Sequence, residues 1–153
     1  MSVANIFGQS PALPVNLAVE GTLSLGSTQQ VTTYTNQITT STTAATSYLT
    51  ISGTGSSSLI DIRIYARGYT TTGSPGYGVV SEIENAYSFL SGTLIYSSSV
   101  GTDVNQRFGY PVNATPLGAL VTVSGTNLLC QVQNGFSGNS TDWVITTIVT
   151  TVT

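Results

Sequence analysis

Through most of this chain apolar and polar positions alternate with a period of two, the mark of strands with one buried face. The cleanest case is SLIDIRIYARG, where Ile60, Ile62, Ile64 and Ala66 face one way and Asp61, Arg63, Tyr65 and Arg67 the other. LAVEGTLSLG sets Leu17, Val19 and Gly21 against Ala18 and Glu20 and closes at Gly26. QQVTTYTNQI sets Val31, Thr33 and Thr35 against Thr32, Tyr34 and Asn36, and TSYLTISGTG offers Tyr48, Leu49 and Ile51 before a Gly-rich turn. VVSEIENAYSFLSG, TLIYSSSV, ALVTVSG, TNLLCQVQNG and DWVITTIVTTVT bring the expected strands to about nine. GYTTTGSPGYG reads as a loop, and FGYPVNATPLG, with its two prolines, as an irregular crossing. SEIENAYSFL is the one stretch that tolerates a helix, and it is assigned to strand with its neighbours.

This pattern predicts an all-β fold: an antiparallel two-sheet β-sandwich, jelly-roll-like, with about eight to nine strands in a single domain over residues 17–153. Residues 1–16, MSVANIFGQSPALPVN, carry no strand or helix period but hold Ile6, Phe7, Leu13 and Val15. They read either as a frayed terminus or as an extended arm, stiffened by Pro11 and Pro14, that docks on a neighbour. Exposed apolar surface costs roughly 25 cal/mol per Å², which favours a docked arm with Ile6, Phe7 and Leu13 as interface residues.

The segment DWVITTIVTTVT raises its own question, because after Asp142 it has no charge, Gly or Pro. An uncharged strand of this kind is an aggregation template if its edge is left open. Either it lies within a sheet of its own chain or it pairs with a partner. Within a sandwich it buries Trp143, Ile145 and Thr147, yet the alternate set Val144, Thr146 and Ile148 is nearly as apolar. A strand apolar on both faces calls for a second layer. Val144, Thr146 and Ile148 are therefore expected at a subunit interface.

Composition narrows the function. Charged residues are 6% of the 153, with three Arg, no Lys, no His and a net charge of −3. That balance supplies no basic footprint for nucleic acid and none for an anionic membrane surface. The N-terminus lacks the basic and uninterrupted apolar regions of a secretion signal, and no stretch has the length of a membrane span. One cysteine, Cys130, cannot form an internal disulfide, so stability must come from packing or association. With 20 Ser and 26 Thr, hydroxyls replace charges as the solvating groups. So sparse a charge suits a chain built into an assembly.

Most site chemistry fails for want of the residues. Without His there is no Ser-His or Cys-His nucleophile, and one Cys without His holds no zinc. A P-loop needs a Lys, and the glycines of GSPGYG lack dinucleotide spacing. No cofactor or metal is expected; Asp103 and Asn105 of GTDVNQ fall short of a calcium ligand set. Glu82 and Glu84 share a strand face, and paired carboxylates can hydrolyse glycosides. Arg63 and Arg67 stand on the preceding strand, however, and a hairpin would set Glu82 across from Tyr65 or Arg67. Cross-strand ion pairs among Arg63, Arg67, Glu82 and Glu84 are the stronger expectation, and the chain is read as having no enzymatic activity. Tyr69 and Tyr77 flank the loop around Pro75 and could stack on sugars, although packing alone accounts for most loop tyrosines. Asn113-Ala-Thr115 and Asn139-Ser-Thr141 match a glycosylation pattern that a Ser/Thr-rich chain produces by chance.

The C-terminal third adds a resemblance. ALVTVSGTNLLCQVQNGFSGNSTDWVITTIVTTV runs strand, Ser124-Gly125, strand through Val132 to Gly135, a loop at Gly138, and then Trp143 opening the last strand. This resembles the closing hairpin of small all-β virion structural proteins of double-stranded DNA viruses, including bacteriophage capsid- and tail-fibre-associated modules. The family pattern has a second Gly where Asn134 and Phe136 bracket Gly135 here. The resemblance implies a structural component of a virus particle, capsid, decoration, spike or tail, acting by subunit packing and often homotrimeric. It implies assembly in the host cytoplasm and partners that are further copies and other virion proteins. The alternative is a receptor- or glycan-binding tip of a viral fibre, using the rims near Tyr69, Tyr77 and Asn139.

Overall fold

A computed structural model describes residues 21–24, 28–53, 57–70, 78–99, 104–108, 118–135 and 139–153. The arm expected over residues 1–16, with Ile6, Phe7 and Leu13, lies outside these residues, as do Tyr77 and Gly138. Among the described residues there are ten strands: β1 (Gly21–Ser24), β2 (Gln29–Thr40), β3 (Thr46–Ser52), β4 (Ser58–Thr70), β5 (Gly78–Leu90), β6 (Thr93–Ser99), β7 (Val104–Phe108), β8 (Gly118–Ser124), β9 (Asn127–Gln133) and β10 (Thr141–Val152). They form two antiparallel sheets, consistent with a β-sandwich. The large sheet runs β1-β2-β10-β4-β5-β6 with β7 also on β5, and the small sheet runs β3-β9-β8.

The path of the chain links the two sheets. β2 pairs with β10 in the large sheet, and their sequence neighbours β3 and β9 pair in the small one. Two widely separated stretches thus cross from sheet to sheet side by side. Side chains bind the crossings together: Gln133 Nε2 donates to the Thr43 carbonyl at 2.7 Å, and Trp143 Nε1 donates to Thr40 Oγ1 at 2.9 Å. Asn134, fully buried, donates from Nδ2 to the Asn139 carbonyl at 2.6 Å.

Local turns follow their residues. Gly125 at φ 61° opens the two-residue turn between β8 and β9, while Thr126 keeps an ordinary φ, as a II′ hairpin requires. Between β5 and β6, Ser91 at φ 50° and Gly92 at φ 76° form the I′ counterpart. Pairing between β3 and β9 shifts register at Tyr48, a bulge that lets both Tyr48 and Leu49 pack against the core.

The core lies between the sheets. Ile60, Ile62, Ile64 and Ala66 of β4, Trp143, Ile145 and Val149 of β10, and Val79, Ile83, Tyr87 and Phe89 of β5 meet Leu128, Cys130 and Val132 of β9. Each such aliphatic or aromatic side chain contributes about 1.5–3 kcal/mol relative to exposure. Trp143 sits over Gly68, its β4 register partner, where an added Cβ would lie 2.8 Å from the indole ring. Thr147 is buried, as expected, and shares a 2.9 Å hydrogen bond with the Tyr48 hydroxyl across the sandwich.

Candidate interaction surface

The question posed by DWVITTIVTTVT is answered by register. β10 pairs along its whole length with β2 on one side and β4 on the other, from Thr141 to Val152. Neither edge is open. Any contact that this strand offers must come from its outer face, where Val144 is 52% exposed while Thr146 and Ile148 are half-buried.

Register fixes the rest of that face. Beside Val144, Thr146 and Ile148 stand Arg67, Tyr65 and Arg63 of β4, and beyond these Val80, Glu82 and Glu84 of β5. Tyr65 is 43% exposed and Tyr69, at the end of β4, 60%; Leu59 and Val152 are exposed at the opposite end. Tyr65, Arg67, Val144 and Thr146 line a shallow depression of about 330 Å³. At the uncovered corner between the sheets, Asn85, Tyr87, Ser97, Ser98, Val121 and Val123 line a second hollow of about 240 Å³.

The charged residues divide in two. Arg63 Nη2 lies 2.8 Å from Glu84 Oε1 and its Nε 3.5 Å from Asp61 Oδ2, so one cation serves two carboxylates. Burial holds the Asp61 carboxyl above its ordinary range despite Arg63, with Glu84 adding to the rise. Asp61 Oδ1 is buried with no hydrogen-bond partner among the described residues. Arg67 stands instead across from Val80, and Glu82 across from Tyr65. Both are exposed, and neither has an ion pair among the described residues. The expected set of four therefore yields one ion pair, Arg63–Glu84, and two free charges. A paired-carboxylate site would need both glutamates clear of arginine, a condition that Glu84 does not meet.

The sequence singled out Val144, Thr146 and Ile148 but passed over Tyr65 and Leu59, exposed on the same face. Their signal was already in the alternation of β4, which places every second residue outward. Fold and surface together define an all-β sandwich whose broad outer face mixes exposed apolar groups with charge. No family model matches the chain, and no curated protein does. A solved structure, the tailspike protein of Acinetobacter baumannii phage AM24, is similar over 80% of this chain at 11% identity and a TM-score of 0.41. The chain spans about a quarter of that protein, 26% of its length.

Proposed function

We propose that this chain is a structural module of a virus particle that works by packing the outer face of its large sheet against further subunits. The observation that carries the reading is the contrast within β10: both edges are satisfied inside the chain, while Val144 and its neighbours stay exposed on the face. An exposed apolar patch of this kind on a chain so poor in charge marks an interaction site. The resemblance of the C-terminal third to virion structural proteins supports a place in a particle, and self-association is the expected mode. Light scattering of the purified chain over a range of concentration tests this. A concentration-dependent oligomer supports packing; a monomer at every concentration overturns packing between copies.

A second reading, a receptor- or glycan-binding tip, is favoured by one observation, the 60% exposure of Tyr69 at the end of β4. Binding to a panel of neutral oligosaccharides, lost on Tyr69→Ala, would support that reading instead.

A further inference from the structure

Among the described residues, the middle of the large sheet's outer face carries one cation and one anion without an ion pair, on adjacent strands and one step apart: Arg67 on β4 and Glu82 on β5. Arg63 already serves the carboxylates of Asp61 and Glu84, and Asp142, at the start of β10, accepts a hydrogen bond from Thr39 Oγ1. From this we infer that two copies of the chain pack face to face about a two-fold axis that sets Arg67 of each copy against Glu82 of the other. The inference rests on the packing role proposed above and names its partner.

Two observations support the pairing. In a two-fold contact, if residue i meets residue j then j meets i, so a face with one free charge of each sign complements itself. The apolar groups fit the same axis. On a sheet grid of about 4.8 Å between strands and about 6.8 Å between same-face residues, the operation exchanging Arg67 and Glu82 brings Tyr65 of one copy over the other's depression. That depression is lined by Tyr65, Arg67, Val144 and Thr146, and a half-exposed Tyr ring is a suitable knob for it. The area bounds the strength of the pair: four central strands, β2, β10, β4 and β5, of 12 or 13 residues each make a face of roughly 750 Å², of which two steeply crossed copies share about half, a small contact beside the 800 Å² or so per partner of a standard interface. The strands of the two copies cross steeply, in the orthogonal class of sheet packing.

The test is charge complementation between copies, read as mass by light scattering, with circular dichroism confirming that each variant is folded. Arg67→Glu alone and Glu82→Arg alone each place like charges across the axis and should weaken the pair roughly tenfold or more. Mixing the two folded variants restores two opposite-charge contacts, so the mixture should form pairs that neither forms alone. Tyr65→Ala should weaken pairing without rescue by mixing. A trimer or larger oligomer whose mass ignores both reversals would overturn the two-fold inference while leaving packing intact. A wild-type chain that stays monomeric at all concentrations would remove both.

Discussion

The two faces of the large sheet are cut from the same strands, yet they obey different rules. Inward, β4, β5 and β10 present Ile, Val, Ala, Trp and Phe, with Trp143, Ile145 and Thr147 almost wholly buried. Outward, the same strands carry Asp61, Arg63, Arg67, Glu82, Glu84 and Asp142 among exposed Leu59, Tyr65, Tyr69 and Val144. Most of the chain's charge is gathered on this face, whereas the outer side of the small sheet is held by uncharged groups. There Thr122 Oγ1 donates to Gln131 Oε1 and Gln131 Nε2 to Ser47 Oγ, both at 3.0 Å, in a ladder across all three strands. A sheet face meant only for water can be uniformly polar. In the packing proposed above, charge set among bare apolar side chains specifies how another surface meets this one.

The contrast can be broken most severely from the inner side. Removing residues 142–153 strips β2 and β4 of their shared partner and takes Trp143 from the core. The expected result is loss of the folded state, read as loss of the β-type circular dichroism spectrum; a soluble, folded product would show β10 to be dispensable. Next in size is Trp143→Ala, which leaves a cavity and orphans Thr40 Oγ1, with an expected loss of about 3–5 kcal/mol in urea unfolding. Gly68→Ala approaches the same indole from below and should cost about 1–3 kcal/mol by overpacking.

A pH series sharpens the comparison further. Burial pushes the Cys130 thiol up to about 12 and raises the Tyr48 phenol despite its bond to Thr147. Both groups are therefore held neutral in the fold. Their contribution is complete below the thiol's ordinary value of 9.0 and declines as pH climbs toward 12, because only the unfolded chain ionises readily. The urea midpoint should fall between pH 8 and pH 11, and Cys130→Ala should flatten that slope even though it lowers the midpoint at neutral pH. A slope unchanged by the substitution would mean that water reaches the thiol.

The outer face should respond far less. Glu84→Gln removes a half-exposed ion pair and is expected to cost under about 1 kcal/mol, an effect that shrinks further in salt. Asp61→Asn replaces a carboxylate whose buried Oδ1 has no partner among the described residues, and should change stability at pH 7 by less than about 0.5 kcal/mol. A loss of several kcal/mol at either position would assign the cluster to holding the fold together.

Strand positions were legible because alternation is a local property: Ile60, Ile62, Ile64 and Ala66 are inward as their spacing requires. β7 was missed, since Val-Asn-Gln-Arg-Phe has no alternating pattern and forms only by lying against the half of β5 that β6 leaves free. Sheet order was not legible either. Nothing within β2 or β10 records that they are neighbours, because that pairing is decided by two crossings that must be made together. The hairpin from β4 to β5 allowed two registers for Glu82, and backbone pairing selects Tyr65, which frees Arg67. The outer face was half legible. Its β10 side followed from a strand apolar on both sides, whereas Tyr65 and Leu59 needed β4 to be placed next to it.

The position of β10 between β2 and β4 bears on how the chain is made. Thr40 pairs with Thr141, so β2 leaves the ribosome about a hundred residues before its partner exists. β4 leaves with β5 at hand but with its other edge bare until β10 arrives. Contacts so remote in sequence make folding slow, and an unpaired edge is the surface on which nascent chains stick to one another. The strand that closes the sheet therefore also ends this exposure, and the interval before it arrives is when a nascent chain is most open to sticking to its neighbours.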